Sequence, residues 1–433
     1  MGKQQFRVLF VVPSHFFADY GCHVRILEEA EALQSLGHMI DIETYPGGRD
    51  LPQLRVRRSR LLPHTARVHV GSSRRKIFLD AVLALQCFVR ALRSRPDVIH
   101  GHLHEGALIG LAVGRLLRIP VVFDYQGSLT AEMIDHHFLS ESSLLFRPLH
   151  FIERMVNRHA DAVLISSKNA AGLLFKDDAS SADIVHELSD CVSPHRFDTT
   201  PTVARRAWVA RKREEYGIPP DHDIVVYIGL LAEYQGISDT LKAAADVITR
   251  RPQTHFLLMG YPGEVSYRGI AEQLGISDHV TFPGRIPYEE AAEYLSMGSV
   301  AVSAKLSKTE GNGKLLDYMA MGLPTVVYDT AVARELMGDC ALYAPAGNIT
   351  ALADHLAWAL SHQSEAQAMG ARGRRRVLEH FTWQHAATRI VDLYAQVTET
   401  AVEPSATTGK GIDNTHRDGM IDAESPRRVP VLI

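Results

Sequence analysis

Short apolar runs of strand length alternate with segments of helical periodicity in this chain, and the alternation runs along it twice. Residues 6–12 form an apolar run that stops at Pro13, the length of a strand buried on both faces. Residues 25–36 carry apolar side chains at helical spacing (Ile26, Leu27, Ala30 and Leu33), and Gly37 follows as a glycine C-cap would. Residues 39–45 read as the next strand. Further strands are expected at 97–100, 120–123, 162–166 and 184–188, with helices at 78–92, 106–117 and 144–159 between them. Such alternation gives parallel βαβ units, because a helix must return the chain to the starting end of the sheet. Residues 193–223, rich in proline and charge, interrupt the pattern. A second series follows, with strands expected at 224–228, 255–259, 280–282, 300–303 and 325–328 and a helix at 237–248. The expected fold class is α/β, with two Rossmann-like domains, 1–200 and 201–380, facing across a cleft. Ligands of such sheets sit beyond the carboxyl ends of the strands. Residues 399–433 are polar and aperiodic and are read as a disordered tail.

Composition excludes several classes. Hydrophobic residues make up 46% of the 433 and charged residues 22%, which suffices for a packed core. The net charge of −4 disfavours a protein that binds nucleic acid through bulk charge. No stretch reaches the roughly 18 apolar residues of a membrane span, and the apolar run at residues 8–12 is too short for a signal peptide. Cys22, Cys87, Cys191 and Cys340 lie far apart and form no CxxC pair, so they are read as reduced thiols of a cytoplasmic protein.

The chemistry concentrates in residues 310–324, Glu-Gly-Asn-Gly-Lys-Leu-Leu-Asp-Tyr-Met-Ala-Met-Gly-Leu-Pro. A strand is expected before this segment, and a helix from near Gly313 to Gly322. Free N–H groups at a helix start hold phosphate, and Gly311 and Gly313 let the backbone approach a ligand. Lys314 is placed to reach a diphosphate, Glu310 to accept from sugar hydroxyls, and Asp317, one turn on, to bond a ribose. The plainer reading makes Gly311 and Gly313 a turn and Lys314 a solvated helix residue. A P-loop is a poor match, since Leu315 stands where Ser or Thr would follow the lysine.

This segment resembles the signature region of glycosyltransferase family 4, retaining enzymes of the GT-B fold, in a subgroup carrying Asn-Gly-Lys-Leu at this point. Residues 317–324 match the family's second carboxylate and its Ala-Met-Ala-x-Gly-x-Pro ending. The similarity spans residues 6–397. Residues 21–25 resemble the family's first glycine loop, Gly37-His38 its Gly-His turn, and 97–100 its Asp-Val-Val-His strand. Residues 280–284 resemble its strand before the base-binding loop, and 381–383 the start of its last helix, 381–398, which crosses back to the N-terminal domain. The resemblance implies a hexosyltransferase-like enzyme that moves a sugar to a glycan or lipid-linked acceptor, in cell-surface polysaccharide or glycolipid synthesis. It implies no cofactor beyond a nucleotide-sugar donor, UDP-, GDP- or other, and no metal. It implies donor contacts at Gly229, Leu230, Gln235, Arg285, Ile286, Asn312, Gly313, Lys314, Leu315 and Asp317. Acceptor contacts are implied at Gly21, Cys22, Arg25, His104 and Asp124, and catalysis by Glu310, Gln126 and Lys314.

The chain also departs from that pattern. Glu310 and Asp317 are one residue closer than the family's two glutamates, and the second acid is aspartate. After the strand at 224–228 the family reads Gly-Arg-Leu and later Lys-Gly, two cations that clamp the donor diphosphate. Here the sequence is Gly229-Leu230-Leu231 and later Gln235-Gly236. Lys314 is expected to have taken over that charge. The competing reading is lost donor binding, in a non-catalytic sugar-nucleotide-binding scaffold. Gln126 stands near the place of a common family histidine. It can donate and accept but not titrate, and retaining transfer in this fold is thought to need no enzyme base. An epimerase or phosphorylase of the same fold is disfavoured by the order of motifs. An NAD oxidoreductase is disfavoured because no GxGxxG follows the first strand.

Two further clusters stand out. His100, His102 and His104 alternate, which is metal-ligand spacing on an extended strand. Gly101 and the turn before residue 106 are expected to break that strand, which leaves His104 near the cleft as an acceptor contact. Residues 51–79 hold eight basic and no acidic residues, interleaved with apolar ones. Residues 55–76 are therefore expected to meet an anionic membrane surface, with the protein peripheral on the inner membrane face, or else to form a solvated loop.

Overall fold

The computed structural model describes residues 5–19, 21–59, 74–135, 139–140, 142–174, 183–306 and 311–402. Its first sheet comprises β1 (Arg7–Val12), β2 (Met39–Thr44), β3 (Arg55–Arg58), β4 (Val98–His102), β5 (Val121–Tyr125), β6 (Ala162–Ile165) and β7 (Val185–Glu187), in the order β3-β2-β1-β4-β5-β6-β7. Between these strands run α1 (Gly21–Ser35), α2 (Arg74–Ser94), α3 (Leu103–Leu117), α4 (Leu129–Asp135), α5 (Phe146–His159) and α6 (Lys168–Leu174). α7 (Val203–Glu215) leads to the second sheet: β8 (Asp223–Ile228), β9 (Thr254–Met259), β10 (Val280–Gly284), β11 (Val300–Ser303), β12 (Thr325–Asp329) and β13 (Leu342–Pro345), ordered β10-β9-β8-β11-β12-β13. Its helices are α8 (Ile237–Arg250), α9 (Glu264–Gln273), α10 (Ala291–Leu295), α11 (Lys314–Ala320), α12 (Ala331–Met337), α13 (Ile349–Ser361) and α14 (Gln363–His380), and α15 (Trp383–Val402) is the last element among the described residues. All strand pairs are parallel.

The unbroken apolar character of β1 follows from this architecture. Val8, Phe10 and Val12 pack towards α1 and α15, while Leu9 and Val11 pack into the core on the opposite face. Gly106 on α3 shows why small residues line that helix: a Cβ there would stand 2.5 Å from the Val11 carbonyl oxygen. α15 returns to the first domain, where Trp383, Ala387, Ile390 and Tyr394 join the core around α1. In each sheet the strand order reverses once, between β1 and β4 and between β8 and β11. Those switch points open crevices at the carboxyl ends of the strands.

Three expectations need correction. Part of the basic segment is structural: β3 pairs with β2 from Asp41↔Arg55 to Thr44↔Arg58. The Arg58 guanidinium caps the carbonyls of Gly47, Phe16 and Arg49. Residues 60–73 of that segment lie outside the described residues. β4 is not broken at Gly101 but continues to His102, and Leu103, with φ 60°, turns the chain into α3. α1 begins at Gly21, four residues before the apolar periodicity starts. The tail expected to be disordered lies outside the described residues from 403 onwards.

Candidate active site

The switch point of the second sheet gathers the expected donor residues. β8 ends at Ile228, and Gly229 turns the chain with φ +145°, a region that disfavours any side chain. A Cβ at Gly229 would lie 2.9 Å from Lys314 Cε and 3.0 Å from the Tyr227 hydroxyl. Lys314 opens α11. Its Nζ donates to Gln235 Oε1, lies 3.4 Å from the Tyr227 hydroxyl and sits 4.8 Å from that ring's centroid. Gly229 and Gln235 in the loop after β8 thus meet the ammonium group of Lys314, which is distant in sequence. Leu230 is half-buried, and its carbonyl accepts from Tyr227.

Other expected donor residues are placed less directly. Gly313 precedes α11, and the buried Asn312 Nδ2 donates to Ser303 Oγ. Asn312 Oδ1 is buried and has no hydrogen-bond partner among the described residues. The Leu315 side chain is fully buried in the core and its N–H donates to the Asn312 carbonyl, which leaves no group of Leu315 for a ligand. Ile286 is half-buried. Arg285 reaches the first domain instead, donating from Nε to Asp19 at 2.9 Å. Glu310 lies outside the described residues.

One cation escaped the sequence reading. Lys305, two residues beyond β11 and buried, donates to the Gly311 carbonyl at 2.6 Å. The only signal was a lysine following an apolar strand beside a glycine-rich segment.

Facing these residues, α1 and β5 contribute a buried charge network. Arg25 donates to Asp124 from Nε and Nη2 at 2.8–3.1 Å and to Asp190 Oδ1 from Nη1 at 2.9 Å. Gln126 Nε2 donates to Asp124 at 2.7 Å, and His102 Nδ1 lies 3.1 Å from it. Burial alone would raise the Asp124 pKa, but Arg25 and His102 hold the carboxyl well below its ordinary range. Asp190, also missed in the sequence, joins the two halves. Its Oδ2 lies 2.8 Å and 3.2 Å from where a Cβ would stand at Gly311 and Gly313. Asp317 sits close by. Burial first, then the negative charges of Glu28 and Asp190, push its pKa up to about 8 against the pull of Lys314. A shift in that direction favours the protonated carboxyl, which can donate a hydrogen bond.

The remaining acceptor candidates divide. Gly21 and Cys22 begin α1, exposed and half-buried respectively. His104 does not join the Asp124 cluster. It lies on the other face of the sheet, buried against Phe123 and Tyr125 with Glu153 nearby, because the chain leaves the strand after His102. His100 and His102 do share a face, with rings stacked at 4.6 Å, and Glu29 completes a buried trio whose ligand-type atoms lie within 4.8 Å. Between the domains, Asp19 accepts from Arg285, from Arg49 and from the Tyr288 N–H. The cavity beside it, about 530 Å³, is lined by His15, Phe17, Gly48, Arg49, Arg285 and Pro287 among others.

Residues 20–186 match the glycosyl transferase 4-like domain, and residues 209–376 match glycosyl transferases group 1. The chain is a GT-B glycosyltransferase. A D-inositol 3-phosphate glycosyltransferase from Corynebacterium aurimucosum is 25% identical over 87% of this chain and 90% of that protein. Alpha-D-kanosaminyltransferase from Streptomyces kanamyceticus is 27% identical over 56% of this chain, an alignment spanning 61% of that protein. A GDP-mannose-dependent alpha-(1-6)-phosphatidylinositol monomannoside mannosyltransferase from Mycolicibacterium smegmatis is 27% identical over 55% of this chain and 63% of its own length. Among solved structures, sucrose-phosphate synthase from Thermosynechococcus elongatus superposes with a TM-score of 0.76 at 21% identity, covering 92% of this chain and 100% of that one. Anabaena HepE in complex with UDP-glucose gives 0.72 at 15% identity, covering 90% and 100%. These structures share the fold. Among the described residues no helix is long and apolar enough to cross a membrane.

Proposed function

We propose that this enzyme transfers a sugar with retention from a nucleotide-sugar to a glycan or lipid-linked acceptor, in cell-surface polysaccharide or glycolipid synthesis, in the subgroup marked by Asn-Gly-Lys-Leu. One observation carries the reading: the Lys314 ammonium lies against Gly229 and Gln235, where the usual arginine and lysine clamp is missing. A single cation from α11 stands in the place of two from the β8 loop, and Lys305 adds a second positive group beside the same glycine segment. With that charge supplied by side chains, donor binding needs no metal. The relatives' GDP-mannose and the neighbour's UDP-glucose support a nucleotide-sugar as donor. The scaffold alternative rested on Leu230 and Gln235, and Lys314 removes its main motive.

In this mechanism the diphosphate lies along Gly229 and Lys314, and Asp317 donates to a ribose hydroxyl. The bond from the anomeric carbon to phosphate oxygen breaks, the new bond to the acceptor oxygen forms on the same face, and the acceptor proton passes to the leaving phosphate. Gln126, oriented by Asp124, binds the transferred sugar. Arg25 sets both Asp124 and Asp190 and so acts as a positioning residue. Closure of the domains, held by Asp19 and Arg285, excludes water and favours transfer over hydrolysis.

The test is thermal unfolding with UDP, GDP, ADP and TDP. Ligand at about 100 times its Kd adds roughly 2.7 kcal/mol, or several degrees at roughly 2–4 °C per kcal/mol. A shift with one nucleotide, lost in Lys314→Ala, is expected. No shift with any nucleotide, or an equal shift in the variant, would refute the assignment.

A further inference from the structure

The outer layer formed by α2, α3 and α5 has a solvent face unlike the rest of the molecule. α2 packs on α3, and α3 on α5, so the three form one continuous surface over the first sheet. Of the thirteen large apolar side chains exposed among the described residues, nine lie on this layer or the turn leading into α5. Leu144, Leu145 and Phe151 are 94%, 64% and 71% exposed, and Ile77 and Leu116 are 72% and 73% exposed. Isolated exposed leucines are ordinary, but a contiguous set marks an interaction surface.

Charge completes the pattern. α5 exposes Arg147, Arg154 and Arg158, and α3 exposes Arg115. No aspartate or glutamate within α2, α3 or α5 is exposed. Their three acids are turned inwards: Asp80 accepts from Tyr45, Glu105 from Lys76, and Glu153 from Ser128 and Thr130. Within these three helices, an apolar face studded with arginine and without an exposed acid complements a surface that is apolar within and anionic at its rim.

We propose that the α2–α3–α5 face docks this enzyme on an anionic lipid bilayer, with Leu144, Leu145 and Phe151 entering the interface and the α5 arginines on the headgroups. This location overlaps the basic segment 55–76 only at residues 74–76, the start of α2, and part of that segment is tied up in β3. Amphipathic helices with cations and exposed aromatic or leucine side chains lie in the interfacial plane in this way. Docking here gives the lipid-linked acceptor reading its geometry, but vesicle binding is measured without donor, so either can fail alone.

The experiment is flotation of the full chain with phosphatidylcholine vesicles, with and without phosphatidylglycerol, for wild type, L144D/F151D and R147Q/R154Q/R158Q. Wild type is expected to float with the anionic vesicles only. At about fivefold per cation near the surface, loss of three arginines weakens partitioning by roughly 100-fold, and raised salt acts in the same direction. L144D/F151D is expected to stay in the bulk while its unfolding curve and its nucleotide-induced shift match wild type. Failure of wild type to bind anionic vesicles, or unchanged binding by both variants, would overturn the proposal. So would a lipid-free dimer in sedimentation velocity that L144D/F151D dissolves, since the face would then belong to a second copy.

Discussion

Replacing Lys314 by alanine removes the ammonium that, among the described residues, meets both Gly229 and Gln235. A hydrogen bond to a charged group contributes about 1.5–3 kcal/mol, so nucleoside diphosphate should bind roughly 10- to 150-fold more weakly. The structure also supplies the rescue. Gln235 Oε1 already touches the Lys314 Nζ, so a lysine at 235 reaches the same volume from the β8 side. Gln235→Lys in the Lys314→Ala background should recover most of the lost affinity, because the phosphate senses charge and distance rather than the origin of the chain. Isothermal titration with the nucleotide found by thermal shift measures both steps, and the unfolding temperature without ligand controls for folding. Affinity unchanged in Lys314→Ala would refute the clamp. A double variant as weak as the single one, with folding intact, would show that Lys314 acts through something other than its charge at that point.

Three further outcomes are expected. Asp317 holds its proton in the folded state up to about pH 8, whereas its ordinary pKa is 3.8. Between those values the folded chain binds a proton that the unfolded chain does not, so this group's contribution to stability falls as pH rises through the window. The gain in melting temperature of Asp317→Asn should therefore grow from pH 5 to pH 8, and an equal gain at both would contradict the assignment. Arg25→Met strands Asp124 and Asp190 and should cost about 3–5 kcal/mol, with partial recovery in Arg25→Met/Asp124→Leu; chemical denaturation reads both. Gly106→Val drives a side chain into the Val11 carbonyl and should destabilise by at least about 1–3 kcal/mol, and a neutral result would mean that α3 sits further from the sheet.

The two sheets were legible because their central strands are buried on both faces and read as apolar runs. β3 was not. Its Arg-Val-Arg-Arg is an edge strand held by ladder bonds to β2 and by the carbonyls around Arg58, so it needs no apolar run. The meeting of Gly229, Gln235 and Lys314, the proposed donor side, was anticipated through the family resemblance and the gap it exposed at 230 and 235. Asp190 and Lys305 were invisible because their partners come from elsewhere in the fold: Arg25 and the Gly311–Gly313 turn for the aspartate, the Gly311 carbonyl for the lysine. His104 misled for a local reason. Alternation implies a shared face only while the strand lasts, and β4 ends at His102 before the chain turns into α3.

The most direct measurement is a crystal structure with the nucleoside diphosphate that stabilises the protein. Diphosphate density between the Gly229 backbone and Lys314 Nζ, with the ribose at Asp317, is the expected result. Density elsewhere in the cleft, with Lys314 still bonded to Gln235, would contradict the central claim that this lysine replaces the missing clamp.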